Sequence, residues 1–209
     1  EPYLTPSTTF VEFGSGNAAL AVHLAPRVRS VYVVEASAVV LEAEGLPDTV
    51  RVVDAATDPL PIPDGSVDLA FSSHFVEHLH PEDLGDHLGE VARLLAPNGA
   101  YVCVTPNRIY GPHDISRYFD DQPTGLHLSE VSHVDLATSM RAAGLGDVRG
   151  LRGVGVPPRE VSLGPTSIVE RLLTTCPASV RRLLTSLPER FGSRPPFRPL
   201  EQVAVIGRR

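Results

Sequence analysis

TFVEFGSGNAALAVHLAPRVRSVYVVE, residues 9–35, reads as a strand, a glycine turn, a helix and a second strand. Residues 9–13 are β-branched or aromatic apart from Glu12, GSGNA (14–18) makes the turn, and AALAVHLA (18–25) carries strong helix formers. VRSVYVVE (28–35) then supplies an apolar strand that ends on a carboxylate. Outward from this unit the alternation repeats. ASAVVLEAEG (36–45) reads as a helix with Gly45 at its exit, and VRVVD (50–54) as a third strand. After the Pro-punctuated DPLPIPDGS, VDLAFSS (67–73) is a fourth strand, and EDLGDHLGEVARLLAPNG (82–99) is a helix stopped by Pro97 and Gly99. AYVCVTPN (100–107) follows as a fifth strand. Strands separated by helices need crossovers, and crossovers make parallel strands between helical layers, so the fold class is a doubly wound α/β sheet. Its near-continuous apolar strands agree with burial on both faces.

Beyond Thr105 the pattern loosens. Residues 106–130 form a polar and aromatic loop, 131–144 a helix, 148–155 a weak strand and QVAVIG (202–207) a final strand. Between them, residues 156–201 hold two short amphipathic helices broken at Pro177. The apolar sides of these helices, Ile168, Leu172 and Leu173 on the first, fit packing against the sheet, a homodimer surface through 165–190, or a partner-binding face.

Composition narrows the classes. With 209 residues, 42% hydrophobic and 21% charged, the chain suits one domain. The net charge of −7 is unevenly spread: 20 acidic residues face 6 arginines through residue 140, and 12 arginines face 5 acidic residues thereafter. The basic residues of the second part are dispersed among prolines and apolar residues rather than gathered in a stripe, so no nucleic-acid partner is expected. Cys103 and Cys176 lie far apart and outside any CxxC pair, which argues against a disulfide scaffold or cysteine zinc site and for a cytoplasmic setting. No apolar run reaches the ~20 residues of a membrane span. The chain opens on Glu1 without Met and enters an apolar run by Thr9, so a natural segment ahead of it is expected to be missing.

The glycine turn lets backbone approach a ligand at the carboxyl end of the first strand. Read as GxGxxG, its third position falls on Ala19, which that fingerprint tolerates, so spacing alone leaves a nicotinamide dinucleotide open. Glu35, 19 residues after Gly16, ends the second strand where a carboxylate can accept from ribose hydroxyls. Glu12 weighs against a pyrophosphate if its side chain points inward, and favours a ligand carrying an amine and a sulfonium.

VEFGSGNA (11–18), VYVVEAS (31–37) and VDAATDPLPIPDGSVDLAFSSHFVEHL (53–79) together resemble the class I S-adenosylmethionine-dependent methyltransferases, in particular their small-molecule and ubiquinone or menaquinone pathway-like group. The resemblance spans about residues 9–155 and, more loosely, the last strand. It implies a mostly parallel seven-stranded sheet with an antiparallel last strand, within a single domain over 1–209 in which 106–130 is the substrate-side loop and 156–201 a helical insertion. It also implies S-adenosylmethionine as cofactor and S-adenosylhomocysteine as product. Carried over residue by residue, Gly14 and Gly16 would bring backbone beside the methionine part, Glu35 would hold the ribose hydroxyls, Asp54 and Ala55 would meet the adenine, Ser72 and Ser73 would lie close to where backbone is presented to cofactor and acceptor, and Glu12, Ser15 and Ala36 would complete the cofactor-binding set. Ala18 departs from the third glycine commoner in this turn. Asp68 is expected to serve structure, and His78 to support the loop after the fourth strand.

Seven of the eight histidines lie between residues 74 and 133. Their spacing matches no closed metal site, since the HxxxH of His74 and His78 lacks the glutamate of HExxH and Pro81 limits a helix there; no metal is therefore expected. A hydroxyl acceptor gains nucleophilicity when a base takes its proton, and histidine suits that task near neutral pH. His127, His74 and His113 are the candidate catalytic residues. Ser132 is expected to cap the following helix with His133 on its first turn, and Arg117 either to pair with Asp114 or to recognise an acidic group on the acceptor. The expected function is methyl transfer to a small-molecule hydroxyl of a secondary metabolite, sugar or quinone-like compound. N- or C-methylation, a noncatalytic cofactor-binding scaffold and nicotinamide-dependent oxidoreduction are the alternatives.

Overall fold

The computed structural model describes residues 3–37, 45–152, 159–177 and 202–209. Most of the helix expected over 36–45 and the second amphipathic stretch beyond Pro177 lie outside the described residues. Strand β1 (Thr9–Phe13) is buried at all five positions and pairs in parallel with β2 (Ser30–Glu35) on one side and β4 (Val67–Ser73) on the other. Strand β3 (Val50–Asp54) extends the first side and β5 (Leu95–Pro106) the second, both in parallel. The chain thus winds away from β1 in two directions, and the crevice at the carboxyl ends of β1 and β4 is the ligand site such a sheet offers.

Alternate residues feed two cores. On one face Phe10, Val31 and Val33 pack with Ala21 and Leu24 of helix α1 (Ala19–Leu24). On the other, Val11, Phe13 and Tyr101 pack with Leu88 and Val91 of α2 (Asp83–Leu94) and with Leu136 and Met140 of α3 (His133–Ala142). Covering both faces is what the continuous apolar strands require.

Helix α2 ends at Leu94 rather than running to Gly99. Proline lacks an N–H and disfavours helical backbone in the residue before it, so Pro97 ends the helix early and the chain turns into β5 at Leu95. Leu95 already pairs with Val67, and the register shifts before Leu69 meets Ala100.

Strand β8 (Gln202–Arg208) lies antiparallel to β5 and, on its other side, to β6 (Arg149–Arg152). The antiparallel last strand is thus present. Among the described residues the sheet carries eight strands rather than seven, because β7 (Arg159–Val161) pairs antiparallel with β6 at the edge. Residues 156–201 are therefore not purely helical: a strand precedes helix α4 (Gly164–Thr175). Cys176 is extended, as a residue before proline prefers, so the break at Pro177 is real. The apolar side of α4 does not pack on the sheet. Thr166 and Glu170 are buried while Ile168 and Leu172 are 62% and 63% exposed. The cause is Glu170, whose carboxylate accepts from the amides of His133 and Val134 at the start of α3 and so turns the polar side of α4 inward.

Candidate active site

The donor half is built from strand ends. Gly14 and Gly16 adopt positive φ of 67° and 64°. At Gly14 a Cβ would also lie 2.5 Å from the Phe75 ring, so both conformation and contact demand glycine there. Glu35, leaving β2, accepts from the Gly16 amide (3.0 Å) with one oxygen and from the Ala36 (2.9 Å) and Ser37 (3.2 Å) amides with the other. Asp54 stands beside Glu35 in register and accepts from the Ala56 amide, while the Ala55 amide donates to the Glu35 carbonyl. Glu12 is buried at the foot of α1, and burial pushes its carboxyl up to about 7; the Ala21 amide pulls the other way and the Glu35 charge adds to the rise.

Two buried polar atoms of this half have no partner, Glu12 Oε2 and Ser15 Oγ. Unmet acceptors beside a backbone cradle and a ring of carboxylates suit a ligand that brings positive charge and hydrogen-bond donors, and the expected sulfonium donor fits on that ground.

The acceptor half follows β4. His74 sits at a φ of 53°, an uncommon conformation for a residue with a side chain, and its Nδ1 lies 3.0 Å from Glu77 Oε1. Glu77 is fully buried and also accepts from Thr105 Oγ1 (2.8 Å), while its carbonyl takes the Leu128 and Ser129 amides. The exit of β4 is thereby stitched to the loop that carries His127. Asp114 shapes the same loop: Oδ2 accepts the Gly125, Leu126 and His127 amides, and Oδ1 accepts the Ser116 amide and hydroxyl. Burial opposes its charge, yet Ser116 and these amides hold its carboxyl well below the usual carboxylate range. His127 Nδ1 lies 2.8 Å from Oε1 of the buried Glu130, the oxygen that also accepts the His113 amide (2.7 Å). His78 Nδ1 lies 3.1 Å from the Leu126 carbonyl, so it supports the loop after β5 rather than the one after β4, and its ring meets that of His127 edge-on at 5.2 Å.

Several expectations need correction. The Ser72 side chain does not line the crevice: it is fully buried, 2.7 Å from the Tyr101 hydroxyl, which in turn meets His87 Nε2 at 3.1 Å. Burial lowers His87 to about 4. Alternation explains the placement, because Ser72 follows the inward positions of β4 and only Ser73 remains partly open at the strand end. His113 is the weakest of the three catalytic candidates, since Nε2 lies 3.0 Å from the Asn107 carbonyl. Arg117 lies over the Tyr118 ring, 5.5 Å from the centroid, rather than pairing with the Asp114 carboxylate, which is taken up by loop amides. Ser132 caps α3 through a capping box with Asp135. His133 is not a surface residue of that first turn but is buried against Glu170, with Nδ1 2.8 Å from Oε1.

Glu130 and Glu170 were missed as partners. For Glu130 a signal exists: His74 and His127 are each followed three residues later by glutamate, a spacing that brings the pairs together in a short turn. Glu170 carries no local signal, lying 37 residues from His133.

Residues 11–103 match the family model of a methyltransferase domain. A probable S-adenosylmethionine-dependent methyltransferase of Mycolicibacterium smegmatis is 30% identical over 132 residues, 62% of this chain and 46% of the relative, so the chain spans about half the length of that curated relative. Among solved structures, a SAM-dependent methyltransferase from Archaeoglobus fulgidus superposes with a TM-score of 0.63 at 19% identity, covering 100% of this chain and 89% of the other. One from Mesorhizobium loti gives 0.61 at 21% identity, covering 100% and 94%. These structures share the fold.

Proposed function

We propose, on the premise that this chain carries a class I S-adenosylmethionine-dependent methyltransferase domain, that it transfers a methyl group from S-adenosylmethionine to a hydroxyl oxygen of a small molecule and releases S-adenosylhomocysteine. When bound, the donor supplies an activated methyl group on a positively charged sulfur. The chain itself has to hold that donor, exclude water and manage one proton.

Glu35 would hold the ribose hydroxyls with lone pairs left over from its three amide bonds, Asp54 and Ala55 the adenine, and the 14–16 backbone with Ser15 and Glu12 the methionine part. On the acceptor side, the observation that carries the reading is the His127–Glu130 pair. A carboxylate on Nδ1 fixes the ring so that Nε2 keeps its lone pair, and the same carboxylate stabilises the imidazolium once that nitrogen has taken a proton. The reading that His127 serves the same crevice as the glycine turn is supported by Phe75, which lies against Gly14, and by Glu77, two residues on, which binds the 128–129 backbone. Tyr118 and Phe119 of the 106–130 loop, 77% and 71% exposed, suit an acceptor with a flat apolar body such as a quinone-like or aromatic secondary metabolite.

Calorimetric titration with S-adenosylhomocysteine tests the first half, with saturable one-to-one binding expected; no binding to folded protein would remove the methyl-transfer reading. A panel of phenolic and sugar hydroxyl acceptors, assayed by release of that product, tests the second half.

A further inference from the structure

The histidines of the acceptor half are held in a way that a proton-transfer role alone does not call for. One potential ligand atom from each of Glu77, His78 and His127 lies within 4.8 Å of the other two. Each imidazole has its Nδ1 engaged by an oxygen acceptor, the Leu126 carbonyl for His78 and the Glu130 carboxylate for His127. This is the outer arrangement that metal-ligating histidines need, because it fixes the tautomer, orients the ring and leaves Nε2 as the donor to the ion. Glu77 meets the same requirement: a carboxylate has about four acceptor positions, and His74 and Thr105 take two, leaving room for an ion and fixing the group from behind.

We propose that Glu77, His78 and His127 form a three-ligand site for a divalent transition-metal ion of the zinc class. Two imidazoles and one carboxylate make a borderline-soft set that suits zinc, and three protein ligands leave a fourth position open. Ligands of a tetrahedral zinc stand about 3.4 Å apart, so the side chains close by up to about 1.4 Å around the ion. His78 is exposed and His127 partly so, which gives the ion a path from solvent and the two rings freedom to make that adjustment. The buried carboxylates Glu77 and Glu130 contribute negative charge on the two sides of the cluster.

What the ion would do rests on the methyl-transfer reading, while its binding does not. The open position would take the acceptor oxygen, and the ion would favour loss of the hydroxyl proton to water. A proton and a metal compete for the same lone pair on His127, so this nitrogen is the base in the ion-free protein and a ligand in the loaded one.

The test uses the whole chain, treated with chelator, and Zn²⁺ alone as the calorimetric probe, with Co²⁺ as an absorption probe of the coordination shell. The expected result is one equivalent of ion per chain, weakened at least about tenfold in His78→Ala and His127→Ala and about tenfold in Glu130→Gln, whose carboxylate holds His127 Nδ1 and so aims the ring. His80→Ala, a nearby histidine outside the cluster, should bind as the parent does. Thermal unfolding of each variant separates loss of the site from loss of the fold. Absence of stoichiometric uptake, or uptake equal to the parent in folded His78→Ala and His127→Ala, overturns the site. Titration of the same preparation with S-adenosylhomocysteine keeps the two readings apart. Product binding without ion binding removes the metal site and leaves methyl transfer standing, whereas ion binding without product binding supports the site and removes methyl transfer.

Discussion

The two halves of the crevice are made of different materials. Where the donor would sit, β1, β2 and β3 end side by side, and the working carboxylates are tied to amides of residues close in space through strand pairing: Glu35 to Gly16, Ala36 and Ser37, and Asp54 to Ala56. Across β4, order comes from carboxylates reaching over longer stretches of chain, Asp114 to residues 125–127 and Glu170 to His133, together with the turns that pair His74 with Glu77 and His127 with Glu130. A site made of strand ends inherits its geometry from the sheet. One made of loop-held ion pairs has to be positioned by each pair separately, and single changes there should act on turnover without reaching the donor.

The largest separation is expected from His127→Ala, which should lower turnover by about 10²- to 10⁴-fold, the usual worth of a general base, with the calorimetric affinity for S-adenosylhomocysteine unchanged. Equal turnover in parent and variant would erase the functional distinction between the halves. Next in size is the pH response of Glu12. Its carboxyl sits near 7 in the folded chain against 4.5 when free, so the native state holds the extra proton, and this contribution to stability is full below pH 4.5 and is lost as pH rises to about 7. The loss amounts to at most about 3 kcal/mol. Denaturant unfolding from pH 5 to pH 8 should show the decline in the parent and a flatter profile in Glu12→Gln; parallel profiles would place the burden elsewhere.

Glu35→Ala should weaken product binding by roughly 10- to 100-fold, the worth of one or two hydrogen bonds to a charged acceptor. An unchanged affinity would take the ribose role from it. The smallest effect sharpens the contrast from the other side. Asp114→Asn keeps the size of the group but loses the charge that draws four loop amides and the Ser116 hydroxyl, so turnover should fall about tenfold with product affinity intact. A loss confined to product affinity would mean that the loop serves the donor instead.

The same division governs what the amino-acid order discloses. Strands β1 to β5 show as apolar runs because burial on both faces leaves no freedom of composition, and the glycine turn shows because positive φ and the Phe75 ring admit only glycine at residue 14. Glu35 and Asp54 are visible as the last residues of their strands. Ser72 and Ser73 are visible as the end of the fourth strand, but which of the two side chains stays partly open depends on the strand's phase: a one-residue difference moves a side chain to the other face, and it is Ser73 that remains partly exposed. The wiring of Glu170 to His133 is invisible because a contact across 37 residues leaves no periodic trace, and the helix pattern around it pointed to the opposite face. Edge strand β7 escaped notice because three residues are too few to show alternation.

The placement of β8 bears on how the protein is made. Among the described strands it is the last to leave the ribosome, yet it sits inside the sheet, between β5 and β6. Until those residues emerge, the β6–β7 hairpin has no neighbour to dock on, and the outer edge of β5 stands bare in the nascent chain. Translation must therefore run past residue 202 before that margin can be sealed, and the early-made residues around the glycine turn wait on a late-made strand for a finished protein.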